Sequence, residues 1–233
     1  MDELDQFAAF LAGLGGNWQE WFASYSWQGA DSDCGIRARF RLHRTLEAAL
    51  QPGARAEAFH EVVGQILEWG GMKPLDDSDL KYTLATLSEF RQNSDERFAI
   101  DSDLVWSNRI ASTSKIYAMS DPRRWTIYDS RVGLAMRALA TGYNEGPRLP
   151  ELLDFRVPPG RGGGGYITPN QARRGFLRTS RVLRQTALQL NAAGVPRPAQ
   201  ALGCSEDTGG WRVYHLEMAL FMLGRNGGDI VVG

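Results

Sequence analysis

Lys115 stands 14 positions ahead of Asp129 in the segment SNRIASTSKIYAMSDPRRWTIYDSRV, residues 107–132. Only Lys73, Lys81 and Lys115 among the 26 lysine-plus-arginine residues are lysines, so the chain meets its need for cations with arginine. Arginine cannot give up its proton, whereas a desolvated lysine amine can attack a sugar carbon as a nucleophile and form a Schiff base. An ordinary surface lysine is the plain alternative. Asp129 precedes a helical pattern from Arg131 to Ala140 and so occupies an N-cap position. A carboxylate there satisfies unpaired helix N–H groups and meets the positive end of the dipole. Fixed and ionised in this way, it can also stabilise positive charge developing at a sugar C1′, activate a water, or take the proton of Lys115. A simple helix cap is the alternative for Asp129, and the two roles are compatible.

Other chemistry finds little support. His43, His60 and His215 are isolated from one another, with no HExxH or equivalent carboxylate cluster, so no metal site is expected. No GxSxG elbow occurs, no GxGxxG follows a strand, and the run Gly162 to Gly165 lacks the Gly-Lys-Ser/Thr of a phosphate loop. No cofactor is expected. Cys34 and Cys204 are the only cysteines, too few for a disulfide framework, which fits a reducing cytosol. The acidic start MDELDQFAAF is unlike a basic secretory signal, and no run of 18 apolar residues occurs, so the expectation is a soluble, monomeric cytoplasmic protein without membrane contact.

The net charge of -1 conceals an asymmetry. Residues 1–36 carry Asp2, Glu3, Asp5, Glu20, Asp31 and Asp33 and no basic residue, whereas residues 155–205 carry eight arginines and no acid. Arg174, Arg178 and Arg181 recur at i, i+4 and i+7, a row of guanidinium groups suited to tracking phosphates. The alternative is a solvated helix face balanced, after folding, by the acidic N-terminal segment.

Helices must position these groups. Apolar spacing predicts one over Leu4 to Leu14, stopped by Gly15 and Gly16. Further helices are expected over Ile36–Leu50, Ala54–Trp69, Asp77–Arg91 with Ser78 or Asp79 as cap, Leu104–Met119, Arg131–Ala140, Asn170–Ala193 and Trp211–Leu223, with a short one at Glu151–Phe155. Trp125 to Tyr128 is the only β-like patch, and the tail NGGDIVVG reads as a frayed or docked end. The fold class is all-α, or nearly so, with about ten helices and little or no sheet. A single domain over 1–233 is expected, which could divide into lobes 1–103 with 207–233, and 104–206.

The segment from Ser107 to Val132 resembles the catalytic core of the helix-hairpin-helix DNA glycosylases, in particular the bacterial 8-oxoguanine glycosylase branch. In that family a hairpin between two helices binds the DNA backbone, a Lys opens the second hairpin helix, and an essential Asp heads the next helix. Lys115 and Asp129 match these positions, and Tyr128-Asp129-Ser130-Arg131-Val132 resembles the family's Val-Asp-x-x-Val. The family's Gly-Val-Gly is absent, its place held by Ala111 to Thr113, and the Lys to Asp interval is several residues shorter.

The resemblance implies duplex DNA as partner, with Ser112, Thr113, Ser114 and Arg131 beside Arg174, Arg178 and Arg181 on its backbone. It further implies a flipped base received in a pocket. Met119, Trp106 and Trp125 around the motif, and His215, Glu217, Met218 and Phe221 on the last helix, are the candidates for that pocket, with Glu217 able to accept from an exocyclic amine. Core packing is the alternative for each. Two biological versions fit: repair of oxidised purines, and defence by excising glucosylated cytosines from phage DNA. The rivals are a non-catalytic, all-helical DNA- or RNA-binding protein working through the Arg174, Arg178 and Arg181 face, and a helical module for an acidic protein partner.

Overall fold

The helical period of the sequence is realised along most of the chain. The computed structural model describes residues 2–92, 106–107, 109–145, 148–160, 164–197, 199, 201 and 203–226. Among them are nine α-helices, a single 3-10 turn at Glu151–Leu153, and no strand. They run α1 (Glu3–Gly13), α2 (Gly15–Ala23), α3 (Ser32–Ala49), α4 (Ala56–Trp69), α5 (Asp77–Gln92), α6 (Ile110–Ser120), α7 (Ser130–Tyr143), α8 (Pro169–Ala192) and α9 (Val213–Arg225). The expected start of α6 at Leu104, two of the four consecutive glycines (Gly162 and Gly163) and most of the tail NGGDIVVG lie outside the described residues. None of the described helices is long and apolar enough to cross a membrane.

Local chemistry explains the boundaries. Asp2 and Asp5 form a capping box at α1, Asp31 accepts from the Cys34 N–H at α3, and Thr168 with Gln171 forms a second capping box ahead of Pro169 at α8. The α5 helix is capped by Asp76, which accepts from the Asp79 N–H, rather than by Ser78 or Asp79. Gly15 and Gly16 do not end the first helical region but open α2, only Leu14 intervening, and Trp18 and Phe22 of α2 turn into the core. Trp125 to Tyr128 forms no strand; an isolated bridge joins Trp27 to Ala30.

The α9 helix is buried along its length from Val213 to Gly224, and packs on α2, α7 and α8. The α1 helix lies on α8, while α6 is enclosed by α3, α4, α5 and α8. One apolar cluster runs from Leu4 to Leu223, drawing on every helix. One backbone approach beside this cluster matters for the site. At Gly224 a Cβ would lie 2.0 Å from the Arg131 carbonyl oxygen, so α9 meets the first turn of α7 backbone to backbone. Phe221 and Glu217 lie on the same face of α9 one and two turns earlier, and so are carried toward the head of α7.

Candidate active site

Asp129 is the N-cap of α7: its Oδ1 accepts from the Arg131 N–H at 3.0 Å and the Val132 N–H at 3.2 Å. Its Oδ2 lies 3.6 Å from Lys115 Nζ. The two side chains are 16% and 6% exposed, so they meet in a largely dry setting rather than at an open surface. Lys115 Nζ also donates to the Ala111 carbonyl oxygen at 3.0 Å, one turn back along α6.

The register that brings them together is set by their neighbours. Ser114 Oγ accepts the Tyr128 N–H at 3.0 Å, which ties the residue before Lys115 to the residue before Asp129. Tyr128 is in turn fixed by its hydroxyl, which donates to the Arg156 carbonyl oxygen, and by Gly175, where a Cβ would fall 2.6 Å or less from the ring. Gly70, at the end of α4, opens the path of the lysine: a Cβ there would lie 2.4 Å from Lys115 Cδ and 2.5 Å from Cε.

Lys115 and Asp129 border two cavities. The inner one, about 30 Å³, is walled by Tyr25, Trp27, Trp69 and Phe221, and Glu217 lines it too. It holds little more than a water molecule, so aromatic side chains must turn aside before a base occupies it. The outer one, about 500 Å³, is bounded by Trp27, Gly71, Met72, Arg131, Pro159 and Arg225, and has room for a nucleotide. Trp27 faces both. Its indole N–H donates to the Trp69 carbonyl oxygen at 3.1 Å, its ring meets Phe221 edge-on at 5.2 Å, and the Arg131 guanidinium lies over both rings at 5.2 and 4.5 Å.

Glu217 is 3% exposed and accepts from Arg39 Nη2 at 2.5 Å. Burial pushes its carboxyl above the ordinary range and the Asp129 charge adds to this, while Arg39 and Lys115 pull the other way.

Of the residues expected in a base pocket, Glu217 and Phe221 stand on this cavity with Lys115 and Asp129. The others do not. Met119 is fully buried, its carbonyl oxygen accepting from His43 Nδ1 at 2.7 Å. Trp106 packs with Phe90, Tyr117 and Phe176, and Trp125 stacks on Phe90 at 4.2 Å beside a separate cavity of about 580 Å³. Met218 faces Gly35 of α3. His215 is held by Asp207, with Nε2 3.1 Å from Oδ1, while its Nδ1 accepts the Arg212 N–H; burial keeps this imidazole below its ordinary pKa. Each is a buried core residue, Met119, His215 and Met218 on helices and Trp106 and Trp125 on the connections beside α6, which is why it resembles a pocket residue in sequence.

The backbone-binding expectations need more correction. Ser112, Thr113 and Ser114 are 1%, 1% and 0% exposed inside α6, because neighbouring helices enclose that helix. Ala111 to Thr113 accordingly belong to the opening turns of α6 rather than to a hairpin turn. The arginine row is largely spoken for within the chain. Arg174 pairs with Glu151 at 3.0 Å, Arg178 donates to the Glu151 carbonyl oxygen at 2.6 Å, and Arg181 divides between Asp2 and Asp5 at 2.5 and 2.9 Å.

The cavity also contains residues that the sequence did not single out: Tyr25, Trp27, Trp69 and Gly70, and behind Glu217 the buried Arg39. Arg39 carried one usable signal, since it falls on the apolar face of α3 with Ile36, Phe40 and Leu46. A search of protein-family models, curated proteins and solved structures finds no match to this chain, so the functional reading rests on its own residues and geometry.

Proposed function

We propose that the chain is a DNA glycosylase that receives a modified base, flipped from duplex DNA, beside Lys115 and Asp129 and cleaves its N-glycosidic bond. The observation that carries this reading is the 3.6 Å approach of Lys115 Nζ to Asp129 Oδ2 at the head of α7, on the border of an aromatic cavity. In the hydrolytic course, water attacks C1′ as the bond from C1′ to the base nitrogen breaks. The bonding pair leaves with the base, which takes a proton from solvent, and the Asp129 carboxylate receives the proton of the water. The oxocarbenium character of C1′ in this step is what a fixed carboxylate stabilises. Lys115, once its proton has passed to Asp129, can take the place of water as the nucleophile. Non-catalytic binding through Arg174, Arg178 and Arg181 is less favoured, because those guanidinium groups already have partners in the chain.

The test is base release from three DNAs: unmodified duplex, duplex with 8-oxoguanine, and phage DNA with glucosylated hydroxymethylcytosine, each treated with alkali to break abasic sites. Wild type is expected to cut one modified DNA. Asp129→Asn, which keeps a capping side chain, is expected to lose about 100-fold or more, the scale of removing one preorganised electrostatic group. Absence of breaks in all three DNAs, or equal activity of the variant, would overturn the reading.

A further inference from the structure

Glu217 is the carboxylate of the inner cavity that the cleavage step leaves unused. It is an unusual wall residue: 3% exposed, charged, and joined at 2.5 Å to Arg39, itself 1% exposed. Arg39 Nε and Nη1 are buried without hydrogen-bond partners. A buried ion pair of this kind is commonly neutral or unfavourable for stability beside well-packed apolar residues, and orphaned N–H groups add to its cost. Fold stability therefore does not account for the pair. Its place does: Glu217 lines the cavity with Trp69, and the Arg39 guanidinium lies behind, 6.0 Å from the centre of the Trp69 ring. Held as a carboxylate by the Arg39 guanidinium, it offers an acceptor to the cavity.

Resting on the glycosylase reading, we propose that Glu217 is the base-selecting residue of the cavity and Arg39 its positioning residue, the carboxylate accepting an N–H from the hydrogen-bonding edge of the flipped base. The substrate class follows. The base must keep that edge intact and carry its modification elsewhere, at C5 of a pyrimidine or C8 of a purine. Bases whose edge is closed by an etheno bridge leave the carboxylate buried without a donor and are refused. A site built to hydrogen-bond a group discriminates steeply against analogues that lack it.

The test separates selection from cleavage by measuring equilibrium binding in an Asp129→Asn background, where turnover is removed. The probes are duplexes carrying 8-oxoguanine, glucosylated hydroxymethylcytosine, 1,N6-ethenoadenine, 3,N4-ethenocytosine, or a tetrahydrofuran abasic analogue. Expected is at least tenfold tighter binding of one edge-intact base than of either etheno base or the analogue. Adding Glu217→Gln should reduce that preference about tenfold, leaving affinity for the abasic analogue unchanged.

Because Glu217→Gln strands the Arg39 charge, a second variant, Arg39→Met with Glu217→Leu, removes both charges at similar volume. It is expected to melt no lower than the parent, yet bind all five duplexes alike. Arg39→Lys, which keeps the charge, should restore part of the preference that Arg39→Met alone abolishes. A preference that survives loss of the pair, or etheno bases bound as well as the others, overturns the proposal while base release by wild type still upholds the glycosylase reading. If wild type releases no base and no duplex is preferred, both fall together.

Discussion

The two oxygens of Asp129 have different duties. Oδ1 is committed to the helix, accepting two N–H groups, and Oδ2 is directed to the Lys115 ammonium. The helix thus fixes the carboxylate, and the lysine completes its charge balance until substrate arrives. If Lys115 acts as nucleophile, borohydride added during reaction with the preferred DNA will trap a covalent protein–DNA adduct. Lys115→Ala is expected to yield none, and electrophoresis under denaturing conditions reads the difference. A trapped adduct from Lys115→Ala would assign attack to another amine, and base release without an adduct in wild type would leave water as the nucleophile. Asp129 and Lys115 were legible in sequence because both signals are local: a cap is defined by the pattern that follows it, and a lone lysine stands out against arginine. Arg39 and Glu217 lie 178 positions apart, and nothing within either neighbourhood specifies the other.

The site is assembled from element ends and close approaches rather than from a single motif. Ser114 pins Tyr128, Gly224 lets α9 touch α7, and Gly70 ends α4 beside the lysine stem. Helix positions were read from apolar spacing with boundaries mostly within a few residues, since periodicity is a local property. Which faces meet was not legible, and so Met119, Trp125 and His215 could not be told from true cavity residues such as Phe221: all are apolar or aromatic at core registers. Gly70 makes the element contribution testable. Its φ is -79°, a conformation that alanine adopts freely, so Gly70→Ala should fold without backbone strain. The new methyl would nevertheless overlap Lys115 Cδ and Cε. The expected result is at least a tenfold fall in base release, since misplacement of a reacting group by about 1 Å can cost about 100-fold. The melting temperature should fall by only a few degrees, because the close overlap is with the flexible stem of a lysine side chain rather than with backbone. Unchanged release would show that the lysine tolerates displacement and is not held for chemistry.

At the scale of the molecule, part of the charge asymmetry of the chain is met by folding. The acid-free stretch with eight arginines and the base-free N-terminal stretch meet where α1 lies along α8, and Arg181 reaches Asp2 and Asp5 across 179 and 176 positions of sequence. The sequence shows a local density of charge but not which acids will pair with it; in the structure Arg174 meets Glu151 and Arg181 meets Asp2 and Asp5. Arg178 is engaged within the chain as well: half-buried, with burial lowering its pKa, it donates to a backbone oxygen rather than to solvent. Exposed pairs of this type contribute only about 0–1 kcal/mol each, so the fastening is modest. DNA affinity measured as a function of salt distinguishes the two roles. Each phosphate contact contributes about -0.9 to the slope of log affinity against log salt, so loss of two contacts would flatten the slope by about 1.8. Arg178→Ala with Arg181→Ala is expected to lower the melting temperature slightly by freeing α1 and the Glu151 turn, and to leave the salt slope unchanged. A slope flattened by about 1.8 with no loss of stability would return the arginine row to the DNA-binding face and place the duplex across α8 instead of over the mouth of the outer cavity.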